Sequence, residues 1–166
     1  MEPYLKQIKA RSRQIRRFGA GWVLLRVEAL QGMFVEVNKV LGTGSSLVWY
    51  IAGKGAGRSM AKFFQTHMKE GESLKAFFNE FAHSFNRWGW GRIEKAFLGE
   101  ETGEFIIRIY NNAFTEVRQS RVPSCYFLKG YFEGLIEMLT GGHISSQETR
   151  CTAKGDPYCE FQITLE

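Results

Sequence analysis

The sequence has no run approaching the ~20 apolar residues that a membrane-crossing helix needs, and its first 18 residues are charged where a secretory leader would be apolar. Both absences point to a cytoplasmic protein. Cysteine is scarce and odd in number, with only Cys125, Cys151 and Cys159. An odd set in a reducing compartment reads as metal ligands, a nucleophile or buried packing before it reads as a disulfide framework. Histidine is equally sparse, and His67, His83 and His143 read as surface or satisfied core residues. Spacing identifies no Ser-His-Asp arrangement and no dinucleotide fingerprint, so no catalytic residue is assigned and an enzymatic role has little support.

Net charge is also missing from most of the chain. Lys6, Lys9, Arg11, Arg13, Arg16 and Arg17 against Glu2 place the whole net charge of +5 in the first 18 residues. The remainder balances, which argues against a broad nucleic-acid surface and leaves only the N-terminal arm to touch an acidic partner. Tyr4, Ile8, Ile15 and Phe18 give that arm, over residues 3–18, a thin apolar stripe on a cationic helix suited to packing on the domain or on a second copy.

What is present is an apolar content of 44% in 166 residues, enough for one domain with its own core. Leu30, Met33, Phe34, Val37 and Leu41 repeat at helical spacing up to Gly42, predicting a core-facing helix. The run SSLVWYIA, Ser45 to Ala52, reads as a strand buried on both faces. GKGAGRS, from Gly53, then opens a helix through Met68; its glycines suit close backbone packing better than a phosphate loop, whose spacing they lack. Between Glu72 and Trp88, Leu74, Phe77, Phe78, Phe81, Phe85 and Trp88 form one aromatic-rich helix face. Trp90–Leu98 and Glu104–Tyr110 read as a hairpin. A helix begins at Cys125, and Gly130 and Gly134 share a face of it that permits close approach of another element. Strands His143–Cys151 and Cys159–Leu165 close the chain around TAKGDPY, which holds the single aspartate, Asp156.

Cys151 and Cys159 flank that hairpin loop, Cys125 starts a helix, and Glu148 precedes the loop, so four ligands could converge on a zinc-like ion. Arg150 and Lys154 would offset the excess negative charge. On spacing alone three alternatives stand beside this one: three buried small hydrophobes, a Cys151–Cys159 cross-strand disulfide, and His143 in place of Glu148.

The stretches SCYFLKGYFEGLIEMLTG and ETRCTAKGDPYCEFQI closely resemble the 4-vinyl-reductase-like domain family, with ETRC, AKGDP and CEF the most specific elements. A looser likeness extends back through GRIEKAFLGEETGEFIIRIYNNAF and GKGAGRS to the helix from Leu25. The resemblance implies an α+β fold, helices packed on an antiparallel sheet, of the type used by nitric-oxide-signalling and Golgi-transport ligand-binding domains. It divides the chain into a basic arm, residues 1–22, and a ligand-binding domain, residues 23–166. In aromatic-sensing members of the family a zinc is held by a pattern matching Cys125, Glu148, Cys151 and Cys159. That match implies Glu148 as fourth ligand and a closed, structural metal.

The expectation for function is a zinc-containing domain that binds a small hydrophobic or aromatic ligand, regulatory and homodimeric, passing its signal to a partner protein. Its cavity is expected to be lined by Phe77, Phe78, Phe81, Trp90, Phe105, Ile107 and Phe132. The alternatives are an accessory or reductase component in tetrapyrrole metabolism, suggested by the family name, and a protein-interaction scaffold subunit.

Overall fold

Alternating burial along the last strands sets the architecture. The computed structural model describes residues 15–17, 20–23, 25–66, 73–99, 104–115 and 119–166. Strand β1 (Ile15–Arg17) pairs antiparallel with β2 (Ala20–Trp22). Helices α1 (Val27–Leu41), α2 (Ser45–Gln65) and α3 (Leu74–Trp88) follow. The hairpin of β3 (Arg92–Gly99) and β4 (Glu104–Tyr110) leads to α4 (Tyr126–Thr140), β5 (Ile144–Arg150) and β6 (Cys159–Leu165). The larger sheet runs β3-β4-β6-β5, every neighbouring pair antiparallel. Phe105, Ile107 and Ile109 of β4 and Cys159, Phe161 and Ile163 of β6 face inward, as a period of two dictates. The α+β class and the C-terminal strands therefore stand as expected.

One element changes type. Ser45 to Ala52 is the first part of the continuous helix α2, and GKGAGRS lies inside that helix rather than opening one. The buried stripe of α2 is made of small residues, Ser45, Gly53, Gly57 and Ala61, ending at Phe64, while Leu47, Val48 and Ile51 face outward. A period read from large apolar side chains points the wrong way when the buried face is nearly bare. The bareness has a use: Cβ atoms at Gly53 and Gly57 would overlap the backbone of Phe127 and Tyr131, and at Gly130 and Gly134 that of Tyr50 and Lys54. The two glycine pairs bring the α2 and α4 backbones into direct contact.

Helix α1 buries Gln31 and Phe34, while the expected core residues Met33 and Leu41 are exposed. Helix α3 matches its aromatic pattern, burying Phe77, Phe78, Phe81 and Phe85. Ser73 caps its start by accepting from the Ala76 amide at 3.2 Å, and Gly89, at φ 78°, ends it. Asn86 then ties α3 to β3, accepting from the Ile93 amide at 2.7 Å and donating to the Ile93 carbonyl at 3.3 Å. The helix expected over residues 3–18 lies outside the described residues as far as residue 14, and Ile15–Arg17 is a strand.

Candidate metal centre and aromatic core

Four elements converge beneath the N-terminus of α4. Cys125 is the N-cap residue of α4, Glu148 sits on β5, Cys151 just follows that strand, and Cys159 opens β6. A register irregularity between Glu148 and Arg150 lets the strand bend as it enters the loop. The ligand atoms of Cys125, Glu148, Cys151 and Cys159 all lie within 4.8 Å of one another, and the three cysteines are buried and unpaired. His143 is exposed and does not join the group.

The donor set fits a metal ion. Cys125 Sγ lies 3.8 Å from Cys151 Sγ and 3.6 Å from Cys159 Sγ. Two thiolates bound at ~2.3 Å in a tetrahedron would be about 3.8 Å apart. Glu148 Oε2 accepts from the Cys125 amide at 2.8 Å, which aims the carboxylate at the cluster. Its Oε1 is buried without a hydrogen-bond partner. An orphaned carboxylate oxygen beside three sulfurs is what an ion would satisfy. Four protein ligands would leave no open position, so an ion there would brace α4 against the terminal hairpin.

The sulfurs share protons unevenly. Hydrogen bonds from Cys125, Cys151 and Thr152 pull the Cys159 thiol down, leaving it the thiolate of the set. Its bonds to Cys151 and Cys159, together with burial, push Cys125 well up. Burial also raises the Glu148 carboxyl. Neutral donors stabilise the sulfur charge from outside: Asn112 Nδ2 donates to Cys125 Sγ at 3.4 Å and to Cys159 Sγ at 3.2 Å, and the Thr152 amide donates to Cys159 Sγ at 3.4 Å. Asp156 accepts from the Cys151 amide at 2.8 Å and shapes the loop. The cations expected to offset the charge lie elsewhere. Arg150 is exposed and stacks over Tyr158 at 5.4 Å, and Lys154 pairs with Asp156 at 3.9 Å.

Asn112, Thr152 and Asp156 went unassigned in the sequence. Asn112 lies 13 residues before Cys125, and no local pattern links it to the sulfurs. Asp156 alone gave a signal, as the acid of a Gly-Asp-Pro turn.

The seven expected pocket residues form one body. Phe77, Phe78 and Phe81 come from α3, Trp90 from the turn after it, Phe105 and Ile107 from β4 and Phe132 from α4. Phe78 meets Phe105 at 5.4 Å between ring centroids, Phe81 meets Phe132 at 6.4 Å, and Phe85 links Phe132 at 6.2 Å to Trp90 at 5.8 Å. These rings fill the space between α3, the inner sheet face and α4.

Residues 105–165 match the vinyl-4-reductase domain family. The match covers β4, α4, the terminal hairpin and all four cluster residues. Among curated proteins, the uncharacterized protein MJ1642 of Methanocaldococcus jannaschii is 24% identical over 136 residues, 80% of this chain and 72% of its own length. The bacteriochlorophyll synthase 23 kDa chain of Cereibacter sphaeroides is 34% identical over 55 residues, 33% of this chain and only 27% of that protein. The phenol-responsive sensory domain of the transcription activator PoxR, solved with phenol, superposes with a TM-score of 0.75 at 20% identity, over 89% of this chain and 78% of that one. A trafficking protein particle complex subunit 3 from Naegleria fowleri, covalently bound to palmitic acid, gives 0.67 at 14% identity, over 84% and 92%. An H-NOX protein from S. oneidensis gives 0.63 at 12% identity, over 100% and 89%. The resemblance in sequence to vinyl-reductase domains is borne out, and so is the fold it implied.

Proposed function

We propose that the protein is a sensory module for a small hydrophobic or aromatic molecule, with a structural zinc in its centre of three cysteines and a glutamate and a homodimeric working state. The observation that carries the reading is the body of rings from Phe77 to Phe132, enclosed between α3, the sheet and α4 and braced from below by the cysteine centre. A ligand that binds one arrangement of these rings better than another shifts the population toward it, limited by its difference in affinity. Solved relatives of the fold support the reading, since one is a sensory domain holding phenol and another carries palmitic acid. Soft thiolate donors favour zinc over a hard cation. Val40, Leu47 and Ile51, exposed by 80%, 60% and 58%, offer an apolar surface at the α1–α2 corner for a second copy. A regulatory protein partner would receive the signal, and any contact with nucleic acid belongs to the basic arm of residues 1–22, outside the binding domain of 23–166. Three unpaired buried thiols suit the cytoplasm, and among the described residues no helix is long and apolar enough to cross a membrane.

A second reading, an accessory component of tetrapyrrole metabolism, is favoured by the segment shared with the bacteriochlorophyll synthase chain. Native mass spectrometry of protein purified from cells tests both. One zinc per chain with a copurified aromatic or apolar molecule is the expected result, and a visible-absorbing pigment selects the tetrapyrrole reading. A chain that carries neither metal nor organic molecule, and takes up neither when supplied, sinks the proposal.

A further inference from the structure

Three buried polar atoms of the core have no hydrogen-bond partner: Oε1 of Gln31, Nε1 of Trp49 and the hydroxyl of Tyr131. They belong to α1, α2 and α4. Gln31 is 5% exposed and Tyr131 1%. A continuous set of rings joins them. Trp49 packs on Phe34 at 4.0 Å between centroids, and Phe34 meets Phe114 at 6.3 Å. Phe114 stacks on Phe127 at 4.9 Å and meets Trp90 edge-on at 5.2 Å. Trp90 and Phe127 in turn meet Tyr131, at 5.3 and 6.4 Å.

Gln31 enters this body through Ala113, whose carbonyl accepts from Nε2 at 2.5 Å. A carbonyl can only accept, so that bond fixes the orientation of the amide and leaves Oε1 as a free acceptor. Trp49 offers a donor, and a phenol offers both. Burial drives the Tyr131 hydroxyl far above its ordinary range, so it stays protonated. Among the described residues Glu133 is the one charged side chain classed as buried, and it is an acid. An anion entering here would meet no buried cation.

Native cores pair nearly all their buried polar atoms, and an unpaired one is destabilising by more than a paired one stabilises. Three unpaired atoms on three helices around one set of rings fit a site whose missing partners are supplied by a bound molecule. We propose that the rings between α1, α2 and α4 form a binding subsite for a neutral, planar molecule with a hydrogen-bonding group, anchored by the Tyr131 hydroxyl and flanked by Gln31 and Trp49. The subsite rests on the small-molecule reading above and adds to it a ligand class and an anchor that lies apart from Phe77, Phe78, Phe105 and Ile107. Fatty acids and other carboxylates fall outside the class.

Isothermal titration of the full chain with phenol, toluene and benzoate tests this, because the three differ little in size and separately supply, lack or charge the polar group. The wild type is expected to bind phenol about tenfold more tightly than toluene, the scale of one neutral hydrogen bond, and to reject benzoate. Tyr131→Phe should bring phenol to the affinity of toluene and leave toluene unchanged. The same substitution should raise the melting temperature of the ligand-free protein by about 2–4 °C, since it deletes an unpaired hydroxyl and keeps the ring. A Tyr131→Phe protein that still prefers phenol, or that melts lower than wild type without ligand, overturns the anchor and leaves the small-molecule reading intact. Tighter binding of benzoate than of phenol overturns the ligand class. A wild type that binds neither phenol nor toluene counts against the small-molecule reading itself and removes the subsite with it.

Discussion

The α-carbon of Gly57 on α2 faces the carbonyl of Tyr131 on α4 so closely that a methyl group would overlap the oxygen. The obstacle is backbone, which cannot rotate away as a side chain can. Gly57→Ala is therefore expected to force the helices apart and destabilise the protein by about 1–3 kcal/mol, the range for overpacked cores. Gly55, two residues away on the same helix, has nothing within 4 Å of its would-be Cβ. Gly55→Ala should instead stabilise by roughly 0.5–1 kcal/mol through helix propensity. Urea denaturation of the two variants reads the contrast, and equal effects would mean that the α2–α4 approach is looser than described.

The same helix pair carries a pH-dependent contribution. Burial pushes the Glu137 carboxyl up, but the Lys54 ammonium at 2.7 Å and the Arg58 guanidinium at 3.1 Å more than reverse this and hold it below its ordinary value. Burial lowers Lys54 in turn, and its bond to Glu137 more than restores it, so Lys54 is held above its ordinary value. A depressed carboxyl stabilises above its unfolded pKa and loses that contribution as pH falls through the folded one; a raised ammonium stabilises below its unfolded pKa and loses it as pH rises. The pair therefore contributes between about pH 4.5 and 10.5, the ordinary values of the two groups. Glu137→Gln should lower stability at pH 7 and approach wild type near pH 3, as read by denaturant midpoints at the two pH values. A stability deficit independent of pH would assign the loss to packing.

At the cysteine centre, Cys159→Ser is expected to lose stoichiometric metal and to lower the melting temperature, because Cys159 Sγ sits at the junction of Cys125, Thr152 and Asn112. Metal content by plasma mass spectrometry together with a thermal melt checks both. Unchanged metal and unchanged melting would remove the proposed zinc.

Deleting residues 1–18 should alter oligomeric state or partner contact while leaving the core folded, since the arm holds the net charge and the core residues all follow it. Sedimentation and circular dichroism of the truncated chain decide it. Loss of helical signal would place the domain boundary inside the arm.

Most of this fold was legible because its large side chains carry the pattern. The rings at Phe77, Phe78, Phe81 and Phe85 mark the buried face of α3, and the alternation Phe105, Ile107, Ile109 marks β4. Helix α2 was misread because its buried face is Ser45, Gly53, Gly57 and Ala61, a stripe whose partner is the backbone of α4. Hydrophobic periodicity has no purchase on a contact between two backbones. The four cluster residues were found from cysteine spacing and a family likeness, whereas Asn112 was not, since an asparagine announces no metal centre.

Asn112 supplies the last prediction. Its side chain spans Cys125 Sγ and Cys159 Sγ while its Oδ1 accepts from the Phe114 amide at 3.0 Å, so the turn between β4 and α4 is fastened to both sulfurs. Donors of this kind orient thiolates and lower their charge density, and their loss in metal sites weakens affinity by about 10–100-fold. Asn112→Ala should therefore keep a metal ion at full occupancy in excess zinc yet release it to a competing chelator at 10–100-fold lower chelator concentration than wild type. The buried Phe114 amide would also lose its acceptor, so thermal melting of the zinc-saturated variant separates a fold defect from a metal defect. Wild-type affinity in a destabilised Asn112→Ala protein would make the asparagine a fastener of the turn alone.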